Sequence, residues 1–381
     1  MTAPGHAALG DLCEILDSKR VPITKKDRRA GPYPYYGASG VLDHVAGFIF
    51  DEPLVLIGED GAKWGTGERS AFAIDGKCWV NNHAHVIRPL RNRVLDRWII
   101  HYLNFADLLP YVSGLTVPKL NQANLRAIPV PSASLDEQVR VLAILDEGFA
   151  AIATARANTE QNLRAARAVF ESHLESVFAQ RGDGWDSLTE LEYLTDPKSP
   201  ITYGVVKPGG EGNVTFIRGG DLAQGRILTA QLRTITQEVS EQYKRTLLRG
   251  GELLISLVGQ PGQLAVVPME LAGANIARQV GLIRLQALVH PEFARLFLQS
   301  PAGQSALGAR QSGSVQQVIN LGELKQVRIP VPSLTIQTKV VEALAAANLQ
   351  TERLASIYRR KLAALDALKQ SLLHQAFTGA L

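Results

Sequence analysis

The stretch LNQANLRAIPVPSASLDEQ (120–138) comes back far along the chain as INLGELKQVRIPVPSLTIQ (319–337). Gly114 falls opposite Gly313, Asn121 opposite Asn320 and Gln138 opposite Gln337, every pair 199 residues apart. On this alignment two residues are gained before I-P-V-P and two are lost after it. A repeat of this length, closing near the C-terminus, divides the chain into two similar halves and settles architecture before any motif does. Function is to be sought in the duplication.

With 381 residues the chain exceeds one ordinary core, and the repeat makes two domains the natural division. Hydrophobic residues at 46% and charged residues at 20% allow large buried cores, yet no apolar run approaches membrane-spanning length. The opening MTAPGHAALGDLCEIL lacks a basic start followed by an apolar core, so no signal peptide is expected. Cys13 and Cys78 are too few for a disulfide framework or a cysteine-rich zinc site, and a reducing cytoplasm is the expected location. A net charge of +4 and a pI near 9.0 permit contact with nucleic acid without demanding it.

After each repeat comes a long region without proline, 136–179 and 336–378, which predicts two single long helices. In the first, Leu142, Leu145, Phe149, Ile152, Leu163, Ala166, Phe170 and Val177 follow alternating steps of three and four, with polar Arg156 and Thr159 admitted to the seam. Moved by 199, the frame gives Val341, Leu344, Ala355, Tyr358, Leu362, Leu365, Leu372 and Ala376, with Asn348, Thr351 and Lys369 as departures. Residues 136–180 carry a net −3 and residues 336–381 a net +3, so the two helices are expected to pair with each other. At ~1.5 Å per residue, such helices reach roughly 60 Å, the length of a spacer.

The remaining segments, 1–135 and 181–335, hold all of the net positive charge. PLVLIG (53–58), ELLISLVG (252–259) and QVGLIRL (279–285) read as strands, and WIIHYLNF (98–105) and FARLFLQ (293–299) as helices. Each segment is therefore mixed α and β. The expected fold class is α+β, with two mixed domains separated by two long antiparallel coiled-coil helices and related by an internal two-fold repeat.

Taken together, YPYYGASGVLDHV (33–45), LVLIGEDGAKWG (54–65), TVPKLNQANLRAIPVP (116–131) and the recurring IPVPS resemble the DNA-specificity subunits of type I restriction-modification systems. The resemblance covers essentially the whole chain. It implies target-recognition domains at 1–135 and 181–335 and conserved spacer helices at 136–180 and 336–381. It also implies a non-catalytic subunit that binds double-stranded DNA and two methylation subunits, joins restriction subunits through the complex, and leaves S-adenosylmethionine to the methylation partner. Two basic heads on a helical rod suit two separated contacts on a duplex.

In the first head, KKDRRAGPYPYYG (25–37) sets Lys25, Lys26, Arg28 and Arg29 beside Tyr33, Tyr35 and Tyr36. Cations of this kind neutralise phosphates and tyrosines reach sugars and base edges, although a solvated turn before a tyrosine-rich edge strand would look the same. In the second head the candidates are Tyr203, Lys207, Arg218 and Arg278. GEDGAKWGTGER (58–69) lacks the Gly-Lys-Ser/Thr ending of a phosphate loop and reads as a tight link between strands, with Lys63, Trp64 and Arg69 still able to touch DNA. NNHAH (81–85) places His83 and His85 on one face of an expected strand. No cysteine or carboxylate pattern completes a zinc site there, so hydrogen bonding to DNA or to the fold is expected and no metal. The equivalent loops 114–121 and 313–320 offer Lys119 to guanine or phosphate, and Gln316 and Gln317 to adenine, unless they merely close each head.

Catalytic signatures are missing. There is no Asn/Asp-Pro-Pro-aromatic methyltransferase motif, no glycine-rich cofactor turn and no helicase phosphate loop. Glu323-Leu324-Lys325 imitates part of a nuclease signature, but its repeat partner is Asn124-Leu125-Arg126, so it reads as structural. The competing functions are a stand-alone methyltransferase or nuclease, which would bind S-adenosylmethionine or cut DNA alone, and a scaffold that has lost DNA reading.

Overall fold

The computed structural model describes residues 5–114, 116–179, 185, 188–308, 311–312 and 318–381. The chain forms two compact units, one from Met1–Gln161 with Tyr358–Leu381 and the other from Asn162–Ile357. Each unit contains one head, the half-helix that follows it and the half-helix contributed by the other long helix.

In the first unit an antiparallel sheet runs in the order Cys13–Ile15, Ala84–Pro89, Leu54–Gly58, Ala71–Ile74. The run LVLIG shows no polar alternation because both of its faces are buried. Val55 and Ile57 join the core built with Trp98, Ile99 and Leu103 of the helix Asp96–Phe105. Leu54 and Leu56 point into a second core with Phe50, Phe72 and Val80. A second sheet, Gly40–Val45, Ala30–Gly37, Lys77–Val80, Phe50–Asp51, has a parallel pair at its centre. The tyrosine-rich segment is thus an interior strand, not the edge strand weighed from sequence.

The second unit repeats this plan. Its four-stranded sheet is ordered Thr202–Tyr203, Val280–Ile283, Leu253–Ser256, Leu264–Val266, beside a three-stranded sheet of Arg233–Ile235, Val214–Ile217, Asn275–Ile276. Leu253 and Ile255 face the core with Phe293 and Phe297 of the helix Pro291–Gln299, while Leu254 faces the other core.

The two-residue gain and loss around I-P-V-P does not occur in space. Leu9 N donates to Ile128 O and Leu191 N to Val327 O, so the spacing of 199 runs through the motif without a gap. The look-alike letters are slipped by two. A slip of two residues leaves every strand side chain on its own face, which is why Val130 and Ile329 are both fully buried.

The long helices span Leu135–Ala179 and Leu334–Thr378. Ser134 Oγ accepts the Glu137 N–H and opens the first, and the second gives way at Gly379, whose φ of +77° is the left-handed conformation that ends helices. Within each unit the two half-helices lie antiparallel. Gly148 abuts Leu372, Lys369 stands over the Phe149 ring, and Arg156 pairs with Asp366. In the other unit Phe170 and Val341 pack on the core that holds Leu344.

Of the seam positions, Leu142, Leu145, Ile152 and Leu344 are buried, while Phe149, Leu163, Phe170, Val341, Tyr358, Leu362, Leu365 and Leu372 are half-buried. Mid-rod, the buried residues are small: Thr159, Ala166, Thr351 and Ala355. At the helix ends the heptad frame misses the deepest anchors. Phe178 meets Trp185, Phe293 and Phe297, and Phe377 meets Trp98, Tyr102 and Phe105.

Candidate nucleic-acid interface

In the second head three arginines reach one end of the smaller sheet by topology alone. Arg218 follows the central strand Val214–Ile217, and Arg278 comes just after its parallel neighbour Asn275–Ile276. Arg233 begins the antiparallel neighbour Arg233–Ile235, which starts where the central strand ends. Together they line a groove of about 470 Å³, with Gly209 and Gly210 on its rim. Arg233 and Arg278 are exposed, whereas Arg218 is held by Asp221, its Nη2 2.8 Å from Oδ1. Lys207 is exposed beside the groove residues Val206 and Pro208, and Tyr203 is 41% exposed. Arg233 escaped the sequence reading because a single arginine opening the short strand Arg233–Ile235 carries no pattern.

The matching end of the first head is chemically different. Asn82 and His83 are exposed in the turn after Lys77–Val80, so His83 does not share a strand face with His85. His83 Nδ1 lies 2.5 Å from Asp60 Oδ1. Lys119 sits alongside, its Nζ 2.7 Å from Glu59. The exposed Asn82, which offers both a donor and an acceptor, is the residue here that sequence reading passed over.

Three candidates are withdrawn. Tyr35 is only 1% exposed, and its hydroxyl accepts from Ile23 N at 3.2 Å, so it is a core residue and not a DNA contact. His85 is equally buried, its ring nitrogens 2.5 Å from Asp17 Oδ2 and 2.7 Å from the Leu120 carbonyl. Trp64 is also buried, donating to Gly58 O. Arg28 is compromised as a phosphate ligand, because it stacks over Tyr35 and pairs with Asp43 at 3.2 Å.

Lys25, Lys26 and Arg29 remain exposed around the turn Lys25–Asp27, while Tyr33 and Tyr36 are half-buried against Phe48 and Phe72. Lys63 is exposed on the link between strands, and Arg69, also exposed, lies over Phe72. Gln316 and Gln317 fall outside the described residues.

Beneath the end of the first head lies a polar cluster. Asp17, Glu59 and His85 are close enough to suggest a metal site. Their charge is already answered: Arg20 Nη1 reaches Glu59 Oε2 at 2.5 Å and also donates to Ala84 O, and Lys119 takes the other Glu59 oxygen. Burial pushes the Asp17 and Glu59 carboxyls up, but hydrogen bonds from His85 to Asp17, and from Lys119 and Arg20 to Glu59, outweigh it. Both are held below their ordinary range. A cation would have to displace bound cations, so the cluster reads as structural.

The family model described as the type I restriction modification DNA specificity domain matches residues 6–163 and 202–357, one match for each half. The chain belongs to that family. It is the DNA specificity subunit of a type I restriction-modification system. A Haemophilus influenzae protein named as a type I restriction enzyme specificity subunit, S.HindORF215P, is 26% identical over 342 residues, covering 88% of this chain and 85% of that one. The Escherichia coli EcoBI specificity subunit is 26% identical over 294 residues, 71% of this chain and 62% of its own.

In fold, a chain from a structure of the assembly and conformational transition of the type I R-M system matches with a TM-score of 0.73 at 18% identity, covering 100% of both chains. HsdS from Thermoanaerobacter tengcongensis matches at 0.53 and 18%, covering 99% of this chain and 97% of that one. The specificity subunit is itself non-catalytic, part of a larger complex, and the nuclease-like Glu323-Leu324-Lys325 has a structural explanation. Leu324 and its partner Leu125 are fully buried, and Lys325 pairs with Glu192 at 2.8 Å. Among the described residues no helix is long and apolar enough to cross a membrane.

Proposed function

We propose that residues 1–135 and 181–335 are two target-recognition domains, each reading one half of a bipartite, asymmetric DNA site, and that the paired helices fix their spacing and dock two methylation subunits. The observation that carries this is one scaffold with two chemistries: equivalent sheet ends present Asn82, His83 and Lys119 in one head and Arg218, Arg233 and Arg278 in the other. Asparagine suits adenine, and arginine suits guanine or phosphate, so the heads are built to read different sequences. The exposed Lys25, Lys26 and Arg29, with Lys63, Arg69 and Lys207, serve the phosphates. Restriction subunits join through the complex, the methylation subunits carry the S-adenosylmethionine, and the complex works in the cytoplasm.

Exchanging residues 1–135 for the equivalent head of a relative, in a host that also makes the methylation subunits, tests the reading through the methylome. One half of the methylated motif is expected to change while the other stays. A change in both halves would refute independent reading.

A further inference from the structure

The two heads close the same corner of the same scaffold in opposite ways. In the first, Leu120 N donates to Glu59 O and Glu59 N to His83 O; in the second, Ile319 N donates to Leu257 O and Leu257 N to Gln279 O. Ile57 pairs with His85 as Ile255 pairs with Gly281. Isolated bridges join Asp60 to Lys119 and Val258 to Val318. Backbone equivalence therefore sets Glu59 against Leu257, Asp60 against Val258, His83 against Gln279, His85 against Gly281 and Lys119 against Val318.

Glu59, Asp60, His83, His85 and Lys119 each have an uncharged counterpart in the second head. Leu257 is buried in the main core, and a Cβ on Gly281 would come within 3.0 Å of Ile255 Cγ2 and 3.3 Å of Leu257 Cδ2, leaving no room for an imidazole. The scaffold can be closed by apolar packing, so the fold does not require the ions. A buried ionic cluster seldom outdoes apolar side chains in stability, because desolvation consumes most of the attraction. What it supplies instead is direction, since each charged hydrogen bond fixes a loop along a defined vector. Here those vectors converge on two exposed elements. Lys119 is tied to Glu59, the Leu120 carbonyl to His85, the Ala84 carbonyl to Arg20, and the His83 ring to Asp60.

We propose that the ionic network of Asp17, Arg20, Glu59, His85 and Lys119 positions the base-reading elements of the first head, the segment ending at Lys119 and the turn carrying Asn82 and His83. It thereby sets the fidelity of one half-site only. The other half-site is read from a corner held by Leu257, Val258 and Val318. The proposal rests on the reading that each head serves one half-site. Glu59 is the residue that separates positioning from contact, because at 7% exposure it cannot touch DNA.

The test is the methylome of a host making the methylation subunits with the full chain carrying Glu59→Gln, beside Glu52→Gln, which breaks an ion pair of the same head outside the network, that of Glu52 with Arg88. Glu59→Gln is expected to raise methylation of sites mismatched in one half of the motif by about tenfold, the scale of a weakened base-pair discrimination. The other half stays strict, and Glu52→Gln stays strict in both. An unchanged methylome, equal relaxation of both halves, or a Glu59→Gln chain that no longer supports methylation at all would each overturn the proposal, the last by making the network a folding element. If head exchange still alters one half of the motif alone, the two-head reading stands even when this proposal falls.

Discussion

Gln138 and Gln337 show what a single repeated residue does. Each is buried at the start of a long helix and makes three hydrogen bonds to backbone. Gln138 accepts from Leu95 N and donates to Arg93 O and Ala133 O; Gln337 accepts from His290 N and donates to Leu288 O and Pro332 O. Replacing either with Ala leaves three mostly part-buried backbone groups without their partner and is expected to cost about 2–4 kcal/mol, read from the urea midpoint of the whole chain. An unaltered midpoint would mean that water takes over the three bonds. The cations sort by partner in the same way. Replacing Lys25, Lys26 and Arg29 with Ala is expected to flatten the dependence of DNA binding on salt by about 0.9 for each phosphate left without its cation. Arg28→Ala is expected to leave that slope alone and lower the melting temperature, because Arg28 serves Tyr35 and Asp43.

At the scale of elements, the heptad frame located the helical seam but not its ends. Periodicity reports which face of a helix is apolar, not which partner covers it. Leu174 and Phe178, like Leu373 and Phe377, leave the helix pair and enter the cores of the heads. The Arg156–Asp366 pair joins a cation of the acidic helix to an anion of the basic one, so it does not follow from their net charges, and a pair so open to solvent adds little stability. Its value is register. Matched insertions of four residues, beside Arg156 in one helix and Asp366 in the other, put the same stutter in both frames and lengthen both helices by ~6 Å. The gap in the methylated motif is then expected to grow by one or two base pairs, at ~3.4 Å each, with both half-sites unchanged. A motif with its original gap would make the rod a docking surface and not a ruler.

For the whole molecule, acid is expected to act on the two units differently. Asp17 and Glu59, both partly or fully buried, have carboxyls held below their ordinary range by His85, Lys119 and Arg20. A carboxylate depressed in the folded state contributes stability that is complete above its unfolded pKa and lost as the pH falls through the folded one. In the second unit Leu257 and Val258 stand where the first has Glu59 and Asp60. Hydrogen exchange followed as the pH falls from neutral through the carboxylate range is therefore expected to rise first around Lys119 and His83. Simultaneous opening of the Val258 corner would show that the network is not what distinguishes the units.

From sequence alone, the repeat spacing, the two long helices and the strands LVLIG and LLIS could be read, because each depends on local periodicity or on comparing the chain with itself. Membership of a class of DNA-reading proteins was legible only by resemblance, through segments such as YPYYGASGVLDHV (33–45) and the recurring IPVPS. The surface proposed to read DNA was not. Tyr35 and His85 carry the same side chains as exposed tyrosines and histidines, and only the packing of Ile23, Asp17 and Leu120 around them removes them from solvent. Arg218, Arg233 and Arg278 are far apart in the chain and meet only because parallel and antiparallel strands bring their opposite ends to one edge. The slipped I-P-V-P letters make the same point: sequence matches letters, whereas the sheet matches hydrogen bonds and faces, and a slip of two residues leaves both satisfied.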